Sequence, residues 1–344
     1  MSVARPSRAA AGSPTSRRPA TRPPRRSPPR RPTPLPGLPI AALVIVLLLG
    51  FLVVRHLRQP SARPPVTTPV ASVAVQSTLS AQAATISTTP PSSNDLAPLA
   101  AKIAALTAPL QGAYGVWVED LPTGASTGQH AEQQFVAASV IKFCILVALY
   151  EESARGQISL DDQLTTTAAD IQNYGTGSIR YDPVGASYTL ADLAQRAAKQ
   201  SDNTAAYLIK QRLGEQYIQD RTAAWGLTAT SVAQDQTTPK DIGTLFVKVA
   251  QRRVLPAPSA LAVLGLLTDT DFEDRLPALL PAYAIVAHKI GTEANGVVND
   301  AGLVVLPTRS YVIVIMTDGA NPDQAITAEQ QISQDAFQFE STLP

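Results

Sequence analysis

Cysteine and histidine are nearly missing from this chain of 344 residues, which has one cysteine, Cys144, and three histidines, His56, His130 and His288. A lone thiol excludes an internal disulfide framework and any zinc site built on several thiolates. The histidines are dispersed and form no H-x-x-x-H or H-x-H pair, so no metal and no other cofactor is expected. They also offer no obvious Ser-His-Asp arrangement. Acidic residues and lysine are absent from residues 1–63, which hold 12 arginines; the remaining 16 basic and all 27 acidic side chains follow. The formal net charge of +1 therefore conceals a strongly basic start and a remainder at −11. One neutral globule is excluded, and so is a basic nucleic-acid-binding domain, because the only part long enough to bury a core is acidic.

Four segments follow from composition. Residues 1–34 are rich in Pro, Arg and Ser and lack the apolar side chains that offset ordering entropy, so a disordered cytosolic tail is expected. Residues 35–57 contain the uncharged run Leu35–Val54, followed by Arg55 and Arg58. About twenty residues at 1.5 Å each cross a bilayer core. A cleaved signal peptide is the rival, but its first small-x-small site, Ser72-Val73-Ala74, lies well beyond the apolar run. The excess of arginine before the span puts the N-terminus in the cytoplasm and the rest outside. Residues 58–94, a Ser/Thr/Pro/Ala run, read as a spacer, and residues 95–344 as one large domain, expected to be a monomeric ectodomain.

Within that domain strand signals occur at both ends and helical signals between them. Gly112–Glu119 alternates and is closed by a turn at 120–124; Tyr283–Lys289, Val297–Leu306 and Ser310–Thr317 read as a meander. Ser139–Ser153, Leu190–Gln200, Asn203–Leu213, Pro239–Arg252 and Ala325–Thr342 read as helices, with Thr189 and Asp192 as a capping box. Strands from the two termini are expected to join in one antiparallel sheet packed with helices and carrying a helical insert. Cys144, Trp117 and Trp225 read as core residues.

Three short motifs occur in order: Ser139-Val140-Ile141-Lys142, Ser201-Asp202-Asn203 and Lys289-Ile290-Gly291-Thr292. Lys142 lies in SVIKFCILVALY, an apolar run that predicts a buried helix, and a buried lysine needs a partner or a lowered pKa. At i,i+3 Ser139 and Lys142 share a helix face, so a desolvated Lys142 can accept the hydroxyl proton and activate Ser139 without histidine.

With these motifs, residues from about 95 to the C-terminus resemble the class A β-lactamase and penicillin-interacting serine hydrolase family, known for its S-x-x-K, S-D-N and K-T-G elements. The surroundings are similar too: Phe135–Ser139 resembles the entry to the nucleophile helix, and Gly175–Ile179 a Gly-Ser-Gly-aliphatic segment. SDNTAA stands at Ser201–Ala206, and Thr237-Thr238-Pro239 opens a later helix. The resemblance implies an α/β (α+β) fold, with an antiparallel five-stranded sheet flanked by helices and an all-helical subdomain, here preceded by one transmembrane helix. It implies Ser139 as acylated nucleophile, Lys142 as proton acceptor and Ser201 as proton donor to the leaving nitrogen. It also implies Asn203, Lys289, Gly291 and Thr292 as substrate-binding residues, with the N–H groups of Ser139 and Thr292 as oxyanion hole. Asp202 reads as a carboxylate that orders its loop through backbone N–H groups, and strand alternation turns His288 away from the cleft.

Two departures qualify what the resemblance implies. Ile290 replaces the hydroxyl of K-T-G, removing a contact to a substrate carboxylate worth about 1–3 kcal/mol unless Thr292 compensates. Only 33 residues separate Asn203 from Thr237, and no E-x-x-L-N segment with a water-activating glutamate is present. The expectation is a small-molecule β-lactam acylating Ser139 and leaving slowly, unless Asp235, Glu215 or Asp220 orients a water. The alternatives are a D-alanyl-D-alanine peptidase-like enzyme acting on cell-wall peptides and a non-catalytic penicillin or wall-fragment binding module.

Overall fold

The computed structural model describes residues 95–343. The tail, span and spacer expected over 1–34, 35–57 and 58–94 lie outside the described residues. Among the described residues no helix is long and apolar enough to cross a membrane.

In chain order the elements are α1 (Ala97–Thr107), β1 (Ala113–Asp120), β2 (Ser126–Gln129), β3 (Phe135–Val136), a 3-10 turn (Ala138–Ile141) and α2 (Lys142–Ala154). Then come β4 (Gln163–Thr165), a second 3-10 turn (Ile179–Tyr181), β5 (Ser187–Thr189), α3 (Leu190–Lys199), α4 (Asn203–Leu213) and α5 (Glu215–Ala224). β6 (Gln236–Thr237), α6 (Pro239–Ala250), α7 (Ala257–Leu266), β7 (Ile285–Glu293), β8 (Val297–Val305), β9 (Ser310–Asp318) and α8 (Pro322–Thr342) complete the domain.

Five antiparallel strands form the main sheet in the order β2-β1-β9-β8-β7, so strands from the two ends of the domain meet where β1 pairs β9. Successive strand side chains point to opposite faces. Tyr311, Ile313 and Ile315 of β9 pack with Leu99 and Ile103 of α1 and Ile332 and Ala336 of α8. Val312, Val314 and Met316 join Trp117 and Phe246 on the other face. Because helices cover both faces, β8 is buried at every position and reads as a continuous run rather than a clean alternation.

α2 is apolar on all sides and is buried from Lys142 to Glu151, which makes it the central helix of the helical layer. Phe143 stacks on Phe246 of α6 with ring centroids 3.9 Å apart. Cys144, Trp117 and Trp225 are all core residues. Thr189 caps α3 by accepting the Asp192 N–H at 3.0 Å, and Thr238 caps α6 in the same way through Asp241.

Two boundaries differ from the sequence reading in ways that matter for the site. The helix expected over Ser139–Ser153 begins as a 3-10 turn, because the chain leaves β3 through Ala138 in the left-handed region at φ 48 and Lys142 is the first α-helical residue. The strand expected to end at Lys289 continues to Glu293. Its pairing with β8 runs on through Gly291↔Asn299 to Glu293↔Val297 before turning at Asn295 and Gly296, both at positive φ. Lys289-Ile290-Gly291-Thr292 therefore lies wholly within a strand. Three helices had not been anticipated. α5 shows why: only Ile218 and Thr222 of its ten residues are buried, too few to give an apolar period.

Candidate active site

The three motifs converge on one cleft of about 620 Å³ between β7, the start of α2 and the loops before α4. Ser139 sits half-buried on the 3-10 turn at the cleft wall, and Lys142 follows one turn later, almost fully enclosed. The Lys142 amine donates to Ser201 O at 2.5 Å, Asn203 Oδ1 at 2.6 Å and Ser201 Oγ at 3.2 Å. From the opposite side Lys289, on β7, donates to the same Ser201 Oγ at 3.0 Å and to Ile290 O at 3.0 Å. The Ser201 hydroxyl thus lies between two lysine amines.

Burial shifts both amines. Desolvation pulls Lys142 down to about 7, against the opposing charges of Asp202 and Asp235. Desolvation, then the neighbouring Lys142 charge, lowers Lys289 well below the usual lysine value. Two lysines so close cannot both hold full charge cheaply, so the pair supplies a neutral amine near physiological pH.

The loop that presents Ser201 is held from below. Asp202 Oδ2 accepts the Ile179 N–H and Oδ1 the Ala205 N–H, each at 2.9 Å, so this carboxylate caps α4 and ties it to the Gly175-Thr176-Gly177 segment. Thr176 donates to Ser201 O at 2.9 Å, and Asn203 Nδ2 to Tyr174 O at 3.0 Å. Gly177 adopts φ 111, and a Cβ there would fall 2.2 Å from Asp202 Cγ, so only glycine lets the segment close on the Ser-Asp-Asn turn.

Gly291 lies flush against the 3-10 turn that carries Ser139: an added Cβ would meet Ala137 O at 2.8 Å and Ser139 N at 3.1 Å. Ile290 lines the cleft without a hydroxyl to offer. Thr292 Oγ1 accepts a 2.5 Å bond from Arg275, leaving its own proton to donate. Arg275 had not been singled out. It lies in a Asp271–Arg275 stretch with no motif, is buried, lines the cleft, and also donates to Asn299 O at 2.8 Å. No sequence signal marks it, because its cleft partners, Thr292 Oγ1 and the main-chain O of Asn299, lie on β7 and β8, far along the chain.

Of the three carboxylates considered for water activation, only Asp235 reaches the cleft. Glu215 pairs with Lys210 at 2.8 Å and Asp220 accepts from Gln216 at 2.8 Å, both exposed on α5. Among the described residues no cluster of metal-ligating side chains occurs.

His288 points away from Lys289 and is fully buried. Its Nδ1 lies 2.9 Å from both oxygens of Asp300 and its Nε2 3.3 Å from Glu273. Burial lowers its affinity for a proton, but Asp300 and then Glu273 outweigh that and raise it to about 9. A raised histidine stabilises the fold fully below the unfolded value near 6.5, and the contribution is lost as pH rises through about 9. The shift corresponds to about 3 kcal/mol. Urea unfolding of wild type against His288→Gln should show a difference of that order at pH 6 that vanishes by pH 10; a difference constant with pH would contradict the charged state.

At the edge of the antiparallel sheet a half-buried serine, a buried lysine one turn later and a second serine between two lysine amines meet in one cleft. The chain belongs to the β-lactamase enzyme family, whose model matches residues 98–339, and it is a β-lactamase-like serine hydrolase. It is 29% identical over 228 residues to a β-lactamase of Streptomyces lavendulae, covering 61% of this chain and 75% of that protein. To the extended-spectrum β-lactamase PER-1 of Pseudomonas aeruginosa it is 27% identical over 236 residues, covering 60% and 76%. Among solved structures it resembles PBP-A at 30% identity and a TM-score of 0.70, over 74% of this chain and all of that one. A leucine-to-glutamate mutant of PBP-A, solved as an acyl-enzyme complex with penicillin G, matches at a TM-score of 0.69 with the same identity and coverage.

Proposed function

We propose that this protein is a class A-type β-lactam-reactive enzyme that opens the β-lactam amide through an acyl-serine intermediate on Ser139 and releases the product slowly. The observation that carries the reading is the Ser201 hydroxyl held between the Lys142 and Lys289 amines beside Ser139. Neutral Lys142 takes the Ser139 proton as Oγ attacks the lactam carbonyl, and the N–H groups of Ser139 and Thr292 receive the developing oxyanion. Ser201, fed by both amines, passes a proton to the departing nitrogen as the C–N bond breaks. Lys289 and Thr292 draw the substrate carboxylate, and Asn203 holds both the substrate amide and Lys142.

Slow release is supported by the acidic residues lining the cleft among the described residues: Asp235, Asp274 and Glu293, with no glutamate on a loop between α4 and α6. The acyl-enzyme of the PBP-A mutant with penicillin G belongs to a chain matched over its whole length. In this reading residues 35–57 anchor the protein in the membrane as a single pass, with residues 1–34 in the cytoplasm and a monomeric domain outside; the arginine distribution of the first 63 residues supports that topology.

Mixing the protein with a penicillin and measuring intact mass is expected to show one adduct, absent in Ser139→Ala. No adduct, or an unchanged adduct in the variant, would overturn the reading. A chromogenic cephalosporin then separates the rivals: a burst followed by near-arrest is expected, sustained turnover marks a fast β-lactamase, and no burst marks a binding module.

A further inference from the structure

We propose that Glu293 is a specificity-determining residue at the mouth of this cleft, selecting β-lactams whose acyl side chain carries an ammonium group. The inference rests on the acyl-serine reading above and adds to it the charge that the acyl side chain presents.

The cleft is polarised by depth. Its cations are enclosed: Lys142, Lys289 and Arg275 are each 6% exposed or less. The two lysines meet at Ser201 Oγ, at 3.2 and 3.0 Å, and Arg275 bonds Thr292 Oγ1 at 2.5 Å. The acids stand farther out, with Glu293 and Asp274 exposed and Asp235 half-buried. Asp274 faces Arg275 Nε at 4.0 Å, and Lys210, the remaining cation of the lining, is paired with Glu215 at 2.8 Å. Asp235 Oδ2 accepts the Ala138 N–H at 3.2 Å. The Glu293 carboxylate has no hydrogen-bond or ion-pair partner among the described residues.

Strand alternation aims this side chain. Lys289, Gly291 and Glu293 share one face of β7. From that face Lys289 reaches Ser201, and a Cβ at 291 would fall 3.1 Å from Ser139 N. Glu293 comes next, so its carboxylate stands beyond the 3-10 turn that carries Ser139, on the side of Asp235. The two acids interact: after desolvation, Glu293 is the main influence that raises Asp235 to about 6, against the Ala138 N–H, Lys142 and Lys210. Two like charges that repel across the mouth favour a positive group placed near both.

The path of the substrate leads there. Asn203, which holds the substrate amide in the acyl-serine reading, donates through Nδ2 to Tyr174 O at 3.0 Å, and the exposed Tyr174 side chain lines the same cleft. The acyl substituent beside that amide therefore leaves between Tyr174 and the end of β7. An ammonium group on it meets the Glu293 carboxylate and an aromatic ring, both of which attract cations. The substrate carboxylate is drawn inward by Lys289 and Thr292, so the preferred substrate is a zwitterion.

Three penicillins test this in the full-length protein: benzylpenicillin, its α-amino derivative and its α-carboxy derivative, which differ in one group on the acyl side chain. Acylation is followed by intact mass at low salt near pH 6.5, and each second-order rate is divided by that of benzylpenicillin with the same protein. General damage in a variant cancels in that ratio, and the intrinsic reactivity of each compound cancels between proteins. In wild type the α-amino compound is expected to react about fivefold faster than benzylpenicillin and the α-carboxy compound about fivefold slower, the effect of one partly exposed ion pair. Glu293→Gln should bring both ratios to within about twofold of unity, and Glu293→Lys should invert the order. Added salt should narrow the wild-type spread. Wild-type ratios within about twofold of unity overturn the proposal. So does a spread that survives in either variant with an intact thermal transition, which would assign the selection to another group. Failure of wild type to form an adduct with any of the three is a separate result: it removes the acyl-serine reading itself.

Discussion

Lys142→Met is expected to slow acylation of Ser139 by 10³-fold or more, while the protein remains folded. The methionine stem fills nearly the same volume in the apolar interior of α2, so packing is largely kept. What disappears is the proton acceptor and the three bonds by which the amine joins Ser201 and Asn203. General-base loss alone accounts for about 10²–10⁴-fold. Lys142, at about 7, is the group whose neutral form acts, so wild-type acylation should rise with pH through about 7 and then level off. Stability carries the same signature with its own sign. A lysine lowered from 10.5 binds fewer protons in the folded chain than in the unfolded one between about pH 7 and 10.5, so its contribution makes the fold more stable as pH rises through that window. Stopped-flow acylation and pH-dependent urea unfolding of both proteins check the two claims. Normal acylation by Lys142→Met would assign the base elsewhere, with Lys289 the next amine in reach of Ser201.

Gly291→Ala is expected to damage chemistry more than stability. One methyl group on β7 would press on Ala137 O at 2.8 Å and Ser139 N at 3.1 Å, both backbone atoms that have no rotamer in which to retreat. Either the strand edge or the 3-10 turn must shift by a few tenths of an ångström, and in the proposed mechanism the oxyanion is received between them. Overpacking of this kind costs about 1–3 kcal/mol of stability. Misplacement near the reacting atoms costs up to about 10²-fold in rate. The expected result is a fall of that order in the acylation rate of a protein whose thermal transition moves only modestly. An unimpaired rate would mean that β7 does not form a wall of the reaction site.

The contrast between Asp235 and Arg275 shows where sequence reasoning stops. Asp235 could be named beforehand only as one of three acidic residues between Asn203 and Thr237. Its distinction comes from a fold that brings residue 235 against residues 137 and 138 by pairing β3 with β6. Arg275 carries no local pattern at all: its guanidinium finds Thr292 and Asn299 because the segment between α7 and β7 passes the β7–β8 hairpin. Ser139, Lys142, Ser201, Asn203 and Lys289 were legible for a different reason. Each sits in a short motif in which residue type and spacing repeat the chemistry, and a lysine amid SVIKFCILVALY is anomalous wherever it occurs.

Local chemistry written along the chain marked the candidate site residues and placed four strands of the main sheet and five helices to within a few residues. The segregated charge likewise separated a basic leader from an acidic body without reference to any fold. Only the tertiary structure decided that two lysines from α2 and β7 share one serine oxygen, that glycine is required at 291, and which carboxylate faces the cleft. Those are contacts between residues 59 to 154 positions apart. They arise because the first and last strands of the domain close one sheet against a helical layer, a juxtaposition that depends on which apolar faces pack together rather than on any neighbouring residue.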